Sequence, residues 1–300
     1  MSSEEDGDKP AGEGETFETS TEKSRAEGDD GKGANERKKD TEEGKKTQER
    51  NTLVHAILFT GAILCISVAI YFARPKNEIK ADFDLVRVFR NGLENLQTPF
   101  ANQTHRFWKI LRSRGLAHLQ SKDPLQPLVF LLAAPPAAHE CVDCLAIKLA
   151  NMLDPRHKDT LARFCGEEEK ANPPEKTKIR MDNFLKKKIE ALHRVVLIHH
   201  LELLPPPSPH LFHSYCDDQN APYKHLAIIF TVHMPAEPNS SLSPKQAEES
   251  VKKYLSGDVW AKDDVGEVAA LLVRVAYTVV LMNGESSGSA RDFCSESTNC

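Results

Sequence analysis

Missing from this sequence is a glycine-rich phosphate loop. After its first apolar strand-like run a nucleotide-binding protein needs Gly-x-x-x-x-Gly-Lys-Ser/Thr, whose backbone amides and lysine hold phosphates. Here the chain reads Ala133-Ala134-Pro135-Pro136-Ala137-Ala138-His139, with no glycine, no lysine and two prolines that lack an amide donor. Where the third such run ends, a metal-binding acid would be needed, and His199 and His200 stand there instead, with Glu202 beyond them. A basic excess is missing too. Residues 74–300 carry 29 basic and 28 acidic side chains, so nothing electrostatic points to nucleic acid. No internal repeat is evident, and a Ser-His hydrolase triad is not expected. The 12 histidines are scattered. The pairs His199/His200 and His210/His213 have the chemistry to bind metal, but the reading preferred is surface or loop histidines, and no metal or cofactor is expected on this chain.

One long uncharged run is present. Leu53–Ala73 holds 21 residues without Asp, Glu, Lys or Arg. At ~1.5 Å per residue such a helix reaches roughly 31 Å, about the thickness of a bilayer core. Tyr71 and Phe72 sit at its far end, and Arg74 and Lys76 stop it. A single transmembrane helix is expected. Ahead of it, Met1–Thr52 carries 16 acidic and 10 basic residues, with Phe17 as its only aromatic. Such a segment cannot offset its chain entropy by burial and is expected to be disordered. Lys38, Lys39, Lys45, Lys46 and Arg50 outnumber Arg74, Lys76, Lys80 and Arg87 across the run, which favours the tail on the cytosolic or nucleoplasmic side. Both glycosylation sequons, at Asn102 and Asn239, and six of the seven cysteines follow the run. They point to an oxidising lumen or exterior for the C-terminal part. The expected organisation is a tail over 1–52, a span over 53–73, a stalk with leading helices over 74–120 and a folded domain over 121–300.

That domain alternates strands and helices. Leu128–Ala134, Thr160–Phe164, Val195–Ile198, Leu226–Val232 and Thr278–Met282 read as strands. His139–Leu153, Ile179–His193, a segment opened by Ser243-Pro244-Lys245-Gln246, and Asp264 to Ala276 read as helices, with Gly166–Lys176 as a loop. Alternation of this kind indicates an α/β fold with a mainly parallel sheet and flanking helices.

Two stretches suggest chemistry. Cys141-Val-Asp-Cys144 opens a helix after a strand, a position that lowers a thiol pKa and suits thiol–disulfide exchange. The other reading is that these cysteines form structural disulfides. In the helix Asp264–Ala276, stepping 100° per residue puts Val265, Val268, Ala269, Leu272 and Ala276 on the core side. Arg274 then points away from them, among Gly266, Glu267, Ala270 and Leu271. Small and apolar neighbours around one arginine suggest a contact surface. The alternative is an arginine that merely complements the helix dipole.

Three motifs then line up in order. Leu197-Ile-His-His-Leu-Glu-Leu-Leu-Pro205 resembles an apolar-His-Arg-Phe-Glu-x-x-Pro stretch of the torsin-interacting proteins, the family of lamina-associated polypeptide one. Tyr215-Cys-Asp-Asp-Gln-Asn-Ala221 is similar to that family's Tyr-Cys-Asp-His-Glu-Asn-Ala, and Leu272-Val-Arg274-Val to its Trp-Ser-Arg-Ile. The resemblance covers the apolar run and most of residues 84–296. It implies a domain shaped like an AAA+ ATPase large domain that binds no nucleotide, docks beside torsin and supplies an arginine finger, with Arg274 at the matching position. ATP and magnesium would belong to the partner. Glu202, Tyr215, Asp217, Asp218 and Asn220 fall in the matching motifs and, with Glu267 and Leu271, are expected at or behind the interface. The family's cysteine pairing maps onto Cys144 and Cys294, and its location onto the endoplasmic reticulum membrane and nuclear envelope. His200 replaces the family's Arg and Gln219 its Glu, and the short tail counts against lamin binding.

Overall fold

The computed structural model describes residues 53, 55, 57–69, 77–237, 243–284 and 288–294. The chain divides into two compact units, Met1–Arg74 and Pro75–Cys300. In the first, residues 57–69 are helical, with Ile57, Leu58, Phe59, Ile63, Leu64, Ile66 and Val68 all exposed. Among the described residues no helix is long and apolar enough to cross a membrane. Residues 70–73 of the expected span and the whole tail 1–52 lie outside the described residues.

The second unit is built on five parallel strands, β1 (Leu128–Ala134), β2 (Ala162–Cys165), β3 (Val195–His199), β4 (Ala227–His233) and β5 (Val279–Leu281), in the order β2-β3-β4-β1-β5. All seven residues of β1 are buried, as a strand covered on both faces requires. Their side chains divide with period two. Leu128, Phe130, Leu132 and Ala134 join one core cluster, and Val129, Leu131 and Ala133 join the other. The first cluster is closed by α1 (Asn77–Leu96), α2 (His105–Gln120), α3 (His139–Leu153) and a late helix, Gly288–Cys294. The second is closed by α4 (Pro174–Glu190), the segment Ser208–Cys216, α5 (Pro244–Tyr254) and α6 (Val265–Val275).

Local signals explain the boundaries. Thr104 caps α2, Ser243 and Gln246 form a reciprocal capping box on α5, and Asp264 caps α6. Helix α4 begins five residues before Ile179 because Pro174 sits in its first turn, where a missing N–H costs nothing. It ends before His193 because Leu192 turns to φ 64°. Gly166–Glu169, expected as loop, forms a helical turn. Gly166 is required there, since a Cβ would collide with the His200 carbonyl. The stretch expected to hold a stalk and leading helices contains α1 and α2, which pack on the sheet: Phe89, Leu93, Phe107 and Leu111 share a core cluster with Phe130 and Leu132. Because every strand runs the same way, the domain has two chemically distinct edges, one at the strands' amino ends and one at their carboxyl ends.

Candidate functional site

Helix α6 runs back toward the amino edge and carries Arg274 in its last turn, where a cation complements the helix dipole. Arg274 Nη1 donates to the Ala270 carbonyl at 3.0 Å. Its Nε and Nη2 donate to Asp217 Oδ2 at 3.3 and 2.9 Å. Asp217 is itself fixed by a tight turn, its Oδ1 accepting from the backbone amides of Gln219 at 3.0 Å and Asn220 at 2.6 Å. The Asn220 amide, then Arg274 and the Gln219 amide, hold the Asp217 pKa down to about 2, so this carboxylate stays ionised. The Arg274 side chain remains 30% exposed. Of its five N–H donors, these contacts use three and leave one on each terminal nitrogen.

The arginine lines a cleft of about 220 Å³ at the amino ends of the strands, together with Arg114, Leu128, Cys216, Asp218 and Val273. Tyr277 closes one side beneath Arg114, whose guanidinium lies 4.8 Å from the ring centre. Val273 and Tyr277 are 69% and 60% exposed. A half-held cation is thus flanked by apolar surface turned to solvent, a combination suited to a docking partner. Sequence reasoning missed Arg114, Val273 and Tyr277. Two apolar residues on either side of Arg274 and Val275, too many for a solvated helix end, were the available signal.

The carboxyl edge has the opposite character. Asp143, in the first turns of α3, is enclosed there. Its Oδ1 accepts from His199 Nδ1 at 3.0 Å and Thr231 Oγ1 at 2.8 Å. Its Oδ2 accepts from His200 Nε2 at 3.1 Å and His233 Nε2 at 3.0 Å. Burial works against ionisation of Asp143, but the three histidine bonds outweigh it and hold its pKa far below the carboxylate range. His139 stacks on His233 with ring centres 4.0 Å apart and bonds the Met234 carbonyl. His200 takes a left-handed conformation, φ 54°, and is held by its amide bond to Thr231 Oγ1 at 3.1 Å. This is the edge at which open parallel sheets bind phosphates. Here buried side chains fill it.

The site residues expected from sequence therefore fall into groups. Arg274, Asp217, Asp218 and Asn220 come together at the amino edge. Glu202 lies at the other edge, beyond β3, where burial pushes its pKa up to about 6 and its Oε2 has no hydrogen-bond partner among the described residues. Tyr215 is buried, its hydroxyl donating to Asp182 Oδ1 at 2.8 Å, so it braces the turn from behind. Leu271 is fully buried, contrary to expectation, and Val265 is 82% exposed. The buried stripe of α6 is Val268, Leu271 and Val275, because the helix is rotated to turn these onto the second core cluster, while Val265 and Ala269 face solvent. Arg274 consequently sits at the border of the buried stripe, within reach of Asp217, and not opposite it. Glu267 is exposed.

Cysteine placement bears on the second reading. Cys144 is joined to Cys294 in a disulfide, with Cα atoms 5.6 Å apart, and not to Cys141. Cys141 and Cys144 are both buried, so the C-x-x-C is not presented to a substrate. Cys165 is disulfide-bonded as well. Asn102 is exposed, with its side-chain amide donated to the Gly284 carbonyl, and Asn239 lies outside the described residues. The spacing Gly-x-Ser-x-Gly does occur, at Gly284 to Gly288, but its Ser286 also lies outside the described residues.

With this geometry in view, a sequence profile described as lamina-associated polypeptide 1, AAA+ activator domain, matches residues 70–266. The chain belongs to this family. The matched range stops short of Arg274. Curated relatives named Torsin-1A-interacting protein 1 include those of human, 28% identical over 187 residues, and mouse, 29% over 196 residues. The alignments cover 62% and 65% of this chain but only 31% and 32% of those proteins. The rat relative is 26% identical over 241 residues, covering 77% of this chain and 41% of its own length. The chain thus matches about a third of the length of these relatives. The parallel α/β sheet with its flanking helices is consistent with an AAA+-like domain, and the family description is that of a regulator.

Proposed function

We propose that this chain is a membrane-anchored activator of a torsin-family AAA+ ATPase, and that its α/β domain supplies Arg274 as an arginine finger in trans. It is then a regulator and not itself a catalyst, and ATP and magnesium sit on the partner. The observation that carries this reading is the partial exposure of the Arg274 guanidinium on an apolar rim, aimed by an ionised Asp217. Phosphoryl transfer spreads negative charge over the equatorial oxygens of the γ-phosphate, and a planar cationic fork engages two of them where an ammonium engages one. A guanidinium oriented before docking needs no reorganisation at the moment of reaction. Asp217 and the Ala270 carbonyl provide that orientation, and the two remaining N–H donors are available to phosphate oxygens.

The anchor is the uncharged run Leu53–Ala73, whose apolar side chains between Ile57 and Val68 face outward. The domain faces the lumen of the endoplasmic reticulum and nuclear envelope, in keeping with the flanking charge, the two sequons and the disulfides. Neither a nucleic-acid nor a lamin partner belongs to this reading. Its test is torsin ATP hydrolysis measured with the full chain, wild type against Arg274→Ala. Stimulation that is abolished while complex formation persists supports the finger; stimulation that survives removes it.

A further inference from the structure

The chain from Ser208 to Asp217 lies beside α6 in matched order. His210 meets Asp263, His213 meets Glu267, and Asp217 meets Arg274. The last of these contacts is hydrogen-bonded, and the first two are not. His210 Nε2 lies 3.5 Å from Asp263 Oδ2, and His213 Nε2 lies 3.4 Å from Glu267 Oε2. Yet His210 Nε2, His213 Nε2 and Asp263 Oδ2 are buried atoms with no hydrogen-bond partner among the described residues. The two imidazole rings are 5.3 Å apart. One ligand atom from each of His210, His213 and Glu267 lies within 4.8 Å of the others.

Proteins avoid leaving buried ring nitrogens unpaired. Two of them converging with the Glu267 carboxylate form an arrangement that a cation satisfies. At the Asp143 cluster the contacts between histidine and carboxylate are hydrogen bonds, although His199 Nε2 and His200 Nδ1 lack partners there among the described residues; at His210 and His213 the nitrogens facing the carboxylates are themselves the unpaired ones. In a tetrahedral zinc site with bonds of about 2.0–2.1 Å, neighbouring ligand atoms stand roughly 3.3–3.4 Å apart. The His213–Glu267 contact at 3.4 Å fits that edge length. Imidazole nitrogens select transition metals over magnesium or calcium. The spacing is also suitable: His210 and His213 bracket one turn, and Asp263 and Glu267 bracket the start of α6.

We propose that His210, His213 and Glu267 bind one divalent transition-metal cation of the zinc class, with Asp263 beside His210, clasping the Ser208–Asp217 segment to the first turn of α6. Three protein ligands leave the fourth tetrahedral position to water, and joining two chain segments makes the site's role structural. It stabilises the same helix and segment that, at their far ends, hold Arg274 to Asp217. The inference does not depend on any partner.

The test uses the full chain, stripped with chelator and titrated with Zn²⁺ and separately with Co²⁺ as a spectroscopic probe. The expected result is a bound equivalent with the intense visible absorption of tetrahedral Co²⁺, and a melting temperature raised by Zn²⁺. The double change His210→Gln with His213→Gln removes that equivalent. The single change Glu267→Gln, on an exposed side chain, keeps the fold and weakens Zn²⁺ binding by at least the roughly 100-fold that even outer-shell changes reach. Changing a separate histidine pair, His157→Gln with His193→Gln, whose rings stack with centres 4.0 Å apart, leaves binding at His210 and His213 as it was. Zinc stoichiometry and affinity unchanged in the first two variants overturn the proposal. So does an equal loss in the third, or weak octahedral Co²⁺ binding alone.

Discussion

At the carboxyl edge of the sheet Asp143 is enclosed by Thr231 and three histidines; at the amino edge Asp217 holds a single guanidinium that still meets solvent. Both carboxylates are held below their ordinary range, for different reasons. Asp143 ionises against its burial, because every face of the carboxylate receives a donor. Asp217 ionises because turn amides and Arg274 surround it near the surface. In the first arrangement the carboxylate is fully engaged and its histidines occupy the edge as a plug. The second presents a cation with donors to spare. The two ends lie about one strand apart, roughly 20 Å at ~3.3 Å per residue, so they can be perturbed separately.

The largest effect is expected from the exposed edge. Arginine fingers in well-studied GTPases are worth about 10³–10⁵ in rate, so Arg274→Ala is expected to abolish stimulation of the partner's ATP hydrolysis while chemical denaturation stays near wild type. Asp143→Ala is expected to do the reverse. It strands buried histidine and threonine donors and lowers unfolding free energy by about 3 kcal/mol or more, read by urea titration, with stimulation per folded molecule unchanged. If Asp143→Ala silences stimulation in a stable protein, the two edges are coupled and the contrast fails.

Smaller effects sharpen the contrast. Asp217→Asn leaves the arginine in place but removes its charged anchor. Misaimed catalytic groups lose about 10- to 100-fold, so stimulation should fall by that much, with affinity for the partner retained. Glu202→Gln probes the closed edge by pH. Folded Glu202 has its pKa raised by burial to about 6. The folded state therefore binds the proton more tightly, and wild-type stability falls as pH rises from about 4 through 6. Gln removes that loss, and the variant is expected to be more stable at pH 7 by about 2 kcal/mol, with the two proteins converging below pH 4. Equal stability at pH 7 would show that Glu202 meets water freely.

Much of this was legible before any coordinates. The runs at 128–134, 195–199 and 227–233 are nearly continuous in Val, Ile, Leu and Phe, and such runs have no use except burial on both faces of a parallel sheet. The lost phosphate loop was equally plain, since prolines at 135 and 136 remove amide donors in any fold. The orientation of α6 was not. A helical wheel weighs Val265 and Ala269 as core, but the helix begins in solvent and turns Leu271 inward to reach the second core cluster.

Local pattern alone thus determined the element order, the α/β class and the want of a phosphate-loop motif after β1, because hydrophobic period and proline placement act within a few residues. Pairings between residues 50 to 90 positions apart were beyond it: Arg274 with Asp217, Asp143 with His199, His200 and His233, and His210 and His213 with Asp263 and Glu267. Those depend on which helix crosses which strand end and on the rotation of each helix about its axis. Only the packed sheet, with its two faces filled, decides both.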